Sequence, residues 1–341
     1  MSATAQKTRD FAFLLVPGFS MMALFSAVEP LRVANRLSGR TLYSWRFITC
    51  SGEPAEASNG MTVMADVALA DLATSDTLVV VAGFDPERGA TKTVLAALRR
   101  HARLGATIGA LDTGTFVLAA AGLLDGRPAT MHWEAVPAFR QAFPRLDVTD
   151  ELFEVHGKLF TCAGGTAALD LVLHFIAEAH GYGLATSVSE QFIYERIRDR
   201  RSHQRMQVAN RLGLANPKLV RVIEAMEQNI EDPLEISALV AISGVSDRQL
   251  ERLFRAHLNT TPIGYYNRIR VARARELLQQ TNLSVLDVAL STGFTSASCL
   301  ARAYRAQFGL SPRRDRQSVG RVGAGPGTAM GRSDPLAVRP S

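Results

Sequence analysis

The sequence predicts two domains of different class, an α/β front half built on a mostly parallel sheet and an all-α back half. Three observations lead there. Up to about Ser189, apolar runs bounded by glycine alternate with helical stretches, the pattern of strands buried on both faces and joined by crossover helices. Beyond Ser189 the strand signals stop, and an internal repeat of helix, turn and helix runs to about Pro312. A chain of 341 residues is long enough to bury two such cores.

In order, "FAFLLVPG" reads as a strand, "SAVEPLRVANRL" as a helix and "SWRFITCSG" as a second strand. "DTLVVVAG" and "GATIGALD" are buried strands, with the helix "TKTVLAALRRHARL" between them. "LDVTDELFEVHGKLFTCAG" reads as short strands, and "GTAALDLVLHFIAEAHG" as an amphipathic helix stopped by Gly181. Ligands of such sheets bind beyond the carboxyl ends of the strands, so Gly18, Gly83, Asp112 and His132 should gather at one edge. "EQFIYERIRDRRSHQRMQVANRLGLANP" reads as helix and then polar linker. The expected boundaries are a front domain at 10–195, a linker at 196–216, a back domain at 217–316 and a disordered tail, rich in Gly, Pro and Ser, at 317–341.

Composition narrows the function classes. With 47% hydrophobic and 21% charged residues the chain is of ordinary globular type. No apolar run is long enough to span a bilayer and "MSATAQKTRD" shows no signal-peptide pattern, so no membrane contact and a cytoplasmic location are expected. Cys50, Cys162 and Cys299 are odd in number and far apart. They suggest a reducing compartment and three small buried side chains, not disulfides or a metal site. The net charge of +6 is uneven: residues 1–190 hold 15 Lys and Arg against 19 Asp and Glu, while residues 191–341 hold 23 against 13. A basic back half suggests nucleic acid.

The repeat places those arginines. "LVAISGVSDRQLERLFRAHLNTTP" is echoed by "DVALSTGFTSASCLARAYRAQFGLSP", with Gly244 matching Gly293, Arg252 matching Arg302, Phe254 matching Tyr304 and Pro262 matching Pro312. Each unit is a helix-turn-helix. Ser246 and Gln249 form a capping-box pattern, Ser296 can cap the second unit's second helix, and Thr261-Pro262 starts a long connecting helix. Leu250, Leu253, Phe254 and Leu258 form one buried stripe, and Leu300, Tyr304 and Phe308 the other. Facing outward are Arg248, Glu251, Arg252 and Arg255 in the first unit, and Ala297, Ser298, Ala301, Arg302 and Arg305 in the second. Double-stranded DNA is the partner this implies, with Arg248, Arg252 and Arg302 on bases and Arg255 and Arg305 on phosphates. Glu251 either accepts from cytosine or pairs with Arg255 at i,i+4.

Residues from about Leu219 to Arg316 resemble the AraC/XylS family DNA-binding domain. The resemblance rests on "VALSTGFTSASCLARAYRAQFGLSPRRDR", with a GF pair before the second recognition helix and FG-x-SP after it. The front half, over Asp10 to Gly183, resembles the class I glutamine amidotransferase-like, PfpI-type superfamily through "LLVPGFSMMALFSAVEPLRVANRLSG", "SNGMTV" and "AGLLDGRPATMHWE". That resemblance implies a flavodoxin-like sheet with a nucleophilic Cys on the turn of "IGALDTGTFVLAAAGLL". Here the Cys position falls on Asp112, the family's His on His132, and its first-loop Glu on Ala23, with Glu29 further along.

Without a thiolate the superfamily's chemistry lacks its nucleophile, so no catalytic residue is expected and the domain reads as a sensor. A carboxylate beside aromatic faces suits a cation. Asp112, Thr113, His132, Trp133 and Phe19 are therefore the candidate ligand site for a small amine or amino-acid metabolite, such as a betaine, a carnitine-like compound or a basic amino acid. Alternatively Asp112 only caps the helix that follows it. His132 has no second ligand at metal spacing, and neither metal nor cofactor is implied. The combined reading is a homodimeric, ligand-responsive activator of amino-acid or quaternary-amine catabolism, with RNA polymerase as a further partner. The competing readings are an amidase or glyoxalase-like hydrolase with accessory DNA binding, and a front domain that only dimerises.

Overall fold

The computed structural model describes residues 7–205, 208–281 and 283–319. They fall into two compact units that divide between Gln204 and Arg205. The last part of the expected disordered tail, from residue 320 onward, lies outside the described residues. Among the described residues no helix is long and apolar enough to cross a membrane.

The first unit runs β1 (Arg9–Leu15), α1 (Met21–Ser38), β2 (Tyr43–Thr49), a small hairpin of β3 (Ala55–Glu56) and β4 (Thr62–Val63), then β5 (Val67–Ala68) and β6 (Thr77–Val81). There follow α2 (Lys92–Arg103), β7 (Thr107–Leu111), α3 (Gly114–Ala120), α4 (Val136–Ala142), β8 (Phe153–His156), β9 (Leu159–Cys162), α5 (Ala167–His180) and α6 (Tyr182–Gln191). The sheet order is β5-β2-β1-β6-β7-β9-β8. All pairs are parallel except the antiparallel hairpin β8–β9. The α/β class is as the alternation of strands and helices predicts.

Period-2 alternation sends neighbouring residues of each central strand into opposite cores. Phe11, Phe13, Leu15, Val79 and Val81 pack with Leu24 and Leu31 of α1 and Val172 and Phe175 of α5. Ala12, Leu14, Leu78, Val80 and Ile108 pack with Leu98 of α2 and Val117 of α3. Gly109 sits in β7 with the Phe160 ring against it, and a Cβ there would come 2.0 Å from that ring. Helix α1 begins at Met21, five residues before the apolar periodicity suggests, because Ser20 caps it by accepting from the Ala23 amide.

The stretch expected to continue as helix after α6 does not. Helix α6 ends at Gln191, and residues 192–204 run as turns and irregular chain. A fully buried carboxylate redirects them. Asp170 on α5 accepts from the Arg198 amide at 2.8 Å, from Arg198 Nε and Nη2 at 2.9 and 2.7 Å, and from the Tyr194 hydroxyl at 3.1 Å. The Leu152 amide donates to the Arg200 carbonyl at 2.7 Å, and Gln204 Nε2 donates to Thr130 Oγ1 at 3.0 Å and the Glu151 carbonyl at 2.9 Å. Residues 196–204, expected in the linker, are thus bonded to the first unit. The bend is bought with strain: Ile193 adopts φ +53°, a conformation that a β-branched residue holds only under outside constraint.

Among the described residues the elements of the second unit are all helices: α7 (Val208–Arg211), α8 (Pro217–Gln228), α9 (Ile236–Ser243), α10 (Asp247–Leu258), α11 (Pro262–Gln280), α12 (Val285–Leu290), α13 (Ala297–Phe308) and α14 (Pro312–Val319). The two helix-turn-helix motifs are α9–α10 and α12–α13, turned by Gly244 at φ +65° and Gly293 at φ +71°. Leu250, Phe254 and Leu258 pack with Val222, Ile223, Leu239 and Tyr265. Leu253 and Phe308 are only half-buried, at the margins of their stripes.

Three local expectations change. Ser246 is the residue before α10, but its side chain makes no capping bond. Its backbone carbonyl already takes the Gln249 amide at 3.0 Å, and Gln249 is exposed instead of reaching back. Of the cysteines only Cys162 is buried; Cys50 lies in an exposed turn after β2 and Cys299 on the half-exposed start of α13. Residues 317–319, assigned to the tail, close α14, which is anchored by Asp315. That carboxylate is 2% exposed and accepts from the Tyr304 hydroxyl at 2.7 Å, with Arg275 Nε at 2.8 Å. Ser296 and Thr261 cap as expected, accepting from Cys299 and Gly264 amides.

Asp170→Ala should lower stability by about 3 kcal/mol in denaturant unfolding, because it strands the Arg198 and Tyr194 donors. The low end of the usual range applies, since Arg198 is 31% exposed and can turn to water. Amide exchange within residues 192–204 should accelerate more than in the sheet; unchanged exchange there would show that Asp170 does not hold the segment.

Candidate ligand site and candidate nucleic-acid interface

Strand β7 delivers Asp112 to the turn before α3, with its backbone at φ +59° and its amide donating to the Cys162 carbonyl at 2.9 Å. A non-glycine residue in this left-handed region is strained. A strained strand-to-helix turn is also how α/β enzymes expose a nucleophile. Glycines let the surrounding loops close on it. A Cβ on Gly164 would lie 2.7 Å from Asp112 Cβ and 2.8 Å from its Oδ2, and one on Gly83 would lie 2.5 Å from the Gly18 carbonyl. The Thr113 hydroxyl donates to the Gly83 carbonyl. Gly18, Gly83 and Asp112 therefore meet at one sheet edge.

The Asp112 carboxyl accepts from the Ser20 hydroxyl and the Thr113 amide, and lies within electrostatic reach of His132 and Glu134. Burial pushes its pKa up to about 6, more than His132, Ser20 and Thr113 pull it down, and Glu134 adds to the rise. The His132 side chain is 35% exposed, with Nδ1 4.0 Å from Glu134 Oε2. Its ring lies 5.6 Å from the Trp133 indole. Asp112 is partly buried, and the side chains of His132 and Glu134 beside it are 35% and 39% exposed.

Not every candidate belongs here. Phe19 is fully buried, bridged to Ala57 and Gly83, and part of the core; no ring face is free for a guest. Asp112 does not cap α3: Thr113 precedes the helix and no side-chain cap bond is made. Ala23 is buried within α1, and Glu29 pairs with Arg32 at 2.7 Å, so neither brings a carboxylate to Asp112. Ser20, Glu134 and Gly164 were missed. Glu134 stood two residues after His132 in "MHWE" and could have been read; the approach of Gly164, 52 residues from Asp112, left no local signal. Among the described residues no group of three His, Cys, Asp or Glu is placed to hold a metal ion.

On α10, Arg248, Arg252 and Arg255 are exposed and, with Ser246, Gln249 and Glu251, line one open concavity. Glu251 pairs with Arg255 at 2.7 Å, so the i,i+4 alternative is the one formed. On α13, Ser298, Arg302 and Arg305 are exposed, while Ala297 and Ala301 are half-buried. Both helices present basic, solvent-facing surfaces opposite their buried stripes.

Asp112→Asn should stabilise the protein at pH 7. A carboxyl raised from 3.8 to about 6 opposes folding by up to about 3 kcal/mol where it is ionised. Because the folded value is the higher one, the gain is absent below about pH 4 and complete above about pH 6. Unfolding midpoints of both proteins between pH 4 and 8 test this; a constant gap across that range would refute it.

The comparisons agree with both units. A helix-turn-helix domain family matches residues 239–318, and the DJ-1/PfpI family matches residues 11–178. The HTH-type transcriptional regulator CdhR of Pseudomonas aeruginosa is 52% identical over 335 residues, covering 97% of this chain and 99% of that one. GbdR of the same species is 41% identical, covering 91% and 84%, and GlxA of Rhizobium meliloti is 39% identical, covering 94% and 99%. A ThiJ/PfpI family protein from Pseudomonas syringae superposes with a TM-score of 0.50 at 21% identity, covering 70% of this chain and 92% of that one, a likeness of fold alone. The chain belongs to the AraC/XylS-type HTH transcriptional regulators that carry an N-terminal DJ-1/PfpI domain, and it is a DNA-binding transcription regulator.

Proposed function

We propose that the first unit senses a small cationic metabolite, an amine or a basic amino acid, and that its occupancy changes how the second unit engages DNA. The observation that carries this is the ionisable carboxylate of Asp112 on the strained turn where the superfamily's enzymes hold a thiolate. A partly desolvated carboxylate attracts a cation more strongly than one in water, and the Trp133 indole, 5.6 Å from the His132 ring, is the aromatic group of this reading. The ligand set in this reading is Asp112, Thr113, His132 and Trp133, joined by Glu134.

Catalysis is not part of the reading. The nearest thiol, Cys162, is buried and its pKa is pushed up to about 12, so no thiolate is at hand. Asp112 does lie within electrostatic reach of His132 and Glu134, and that arrangement supports the competing hydrolase reading. Turnover of amides or α-oxoaldehydes that disappears in Asp112→Ala would establish it.

The exit segment supports ligand response. Arg198 Nη2 donates to Thr166 Oγ1 at 2.8 Å, two residues beyond the Gly164 that touches Asp112. Gln204 bonds Thr130, two residues before His132. The last residues of the first unit are thus attached to the loops that carry Gly164 and His132, and in this reading a ligand acts by favouring one arrangement of them. In the same reading the chain works in the cytoplasm as a homodimer that activates transcription through RNA polymerase, with Arg248, Arg252 and Arg302 on bases and Arg255 and Arg305 on phosphates.

Calorimetric titration of quaternary amines and basic amino acids should find a binder whose affinity falls toward tenfold per pH unit below about pH 6, as Asp112 takes up its proton. Asp112→Ala should cost at least about tenfold at pH 7.5. Equal affinity in that variant would end the cation reading, and absence of any binder would leave the unit without a sensing role.

A further inference from the structure

Two recognition helices read one DNA face as a unit only if their separation is fixed, because major-groove segments recur about every 34–36 Å. The 19-residue helix α11 connects the two motifs and spans roughly 28 Å. A connector of that length sets a separation only if each motif is locked to it.

Tyr266 and Arg270 lie four residues apart on α11 and so share one face. The Tyr266 hydroxyl donates to the Asn229 carbonyl and accepts from the Leu234 amide at 3.1 Å, holding the loop that leads into the first motif. Arg270 reaches the other way. Its Nε donates to the Thr292 carbonyl at 2.9 Å, its Nη2 to the Gly293 carbonyl, and its Nη1 to Asn267 Oδ1 at 3.1 Å. Its guanidinium lies over the Phe294 ring at 4.2 Å. These partners are the turn of the second motif.

The two loops also touch each other, and here the repeat is not symmetric. Around Gly244, the first turn's glycine, an added Cβ would meet nothing within 4 Å. At the matching Gly293 it would come 2.6 Å from Pro233 Cγ and 2.8 Å from the Glu231 carbonyl. A left-handed turn alone favours glycine at both positions. The close approach at Gly293 alone shows that the loop before the first motif is seated in the turn of the second.

We propose that Tyr266 and Arg270 are positioning residues for DNA reading, interlocking the two motifs with Gly293 and so setting the spacing the protein accepts between two blocks of bases. They carry no base contact themselves. Arg270 is suited to this because guanidinium offers several donors in a fixed plane and a face for stacking, which a lysine cannot reproduce.

The test uses the full chain. Duplexes selected from a random pool by the native protein should contain two base blocks, and one base pair is then removed or added between them. Native protein should lose at least about tenfold in affinity at either altered spacing, since each lost bidentate base contact is worth about that much. Tyr266→Phe, which keeps the buried ring, and Arg270→Gln should bind the native spacing less tightly and the altered spacings about as before, so the profile flattens. Thermal unfolding checks that the variants fold; should Arg270→Gln not fold, Tyr266→Phe carries the measurement alone. A native spacing profile in folded variants, a uniform loss at all spacings, or a selection that returns a single block would each overturn the proposal.

Discussion

A carboxylate held on left-handed backbone at Asp112 opposes folding twice, once through backbone strain and once through desolvation, and much of the first unit is arranged so that it persists. Backbone strain of this kind amounts to about 1–3 kcal/mol, and the raised carboxyl adds a similar sum. What holds the turn in place is the sheet behind it. The Asp112 amide is tied to Cys162 on the neighbouring strand, and Gly164 closes over the side chain. Two cores on opposite faces of one sheet supply enough buried apolar surface to keep the conformation single-valued. A costly feature maintained by its surroundings is characteristic of sites where geometry serves recognition.

Elements whose signal is periodic were legible in the sequence. Strands such as Thr77–Val81 and Thr107–Leu111 show themselves as apolar runs between glycines, and the repeat in the second half announces both helix-turn-helix motifs. What was not legible depends on partners far away along the chain. The stretch after Gln191 has helical composition, yet Asp170 offers acceptors that a helix there could not satisfy in the same way. Phe19 reads as a pocket aromatic because it sits on the first loop; only the bridges to Ala57 and Gly83 place it in the core. Asp112 and His132 were found by resemblance, whereas Ser20 and Gly164 join the site through convergence of loops.

The second unit shows how a repeat can mislead as well as inform. Matching glycines and outward arginines imply two equivalent modules, and the buried stripes do correspond. Yet the capping hydroxyl works in the second motif and not in the first, because the Ser246 carbonyl already occupies the Gln249 amide while Ser296 accepts from Cys299. The Gln249 side chain stands beside Arg248 on the concave face and makes no bond back to Ser246. Loss of the cap at this helix start carries a stability cost of about 1 kcal/mol or less.

Each unit uses one buried carboxylate to join chain segments. Asp170 fixes the exit from the first unit, and Asp315 joins α14 to Tyr304 and Arg275. Apolar packing is non-directional and would tolerate small slips of either segment. A buried acceptor that needs specific donors does not, since a shifted segment leaves the charge unpaired at a cost of several kcal/mol. In a regulator the consequence is that each segment has one favoured seat and a steep penalty for leaving it. Under the proposed ligand response, that is the property required of a part that must pass a change of state onward without dissipating it in gradual deformation.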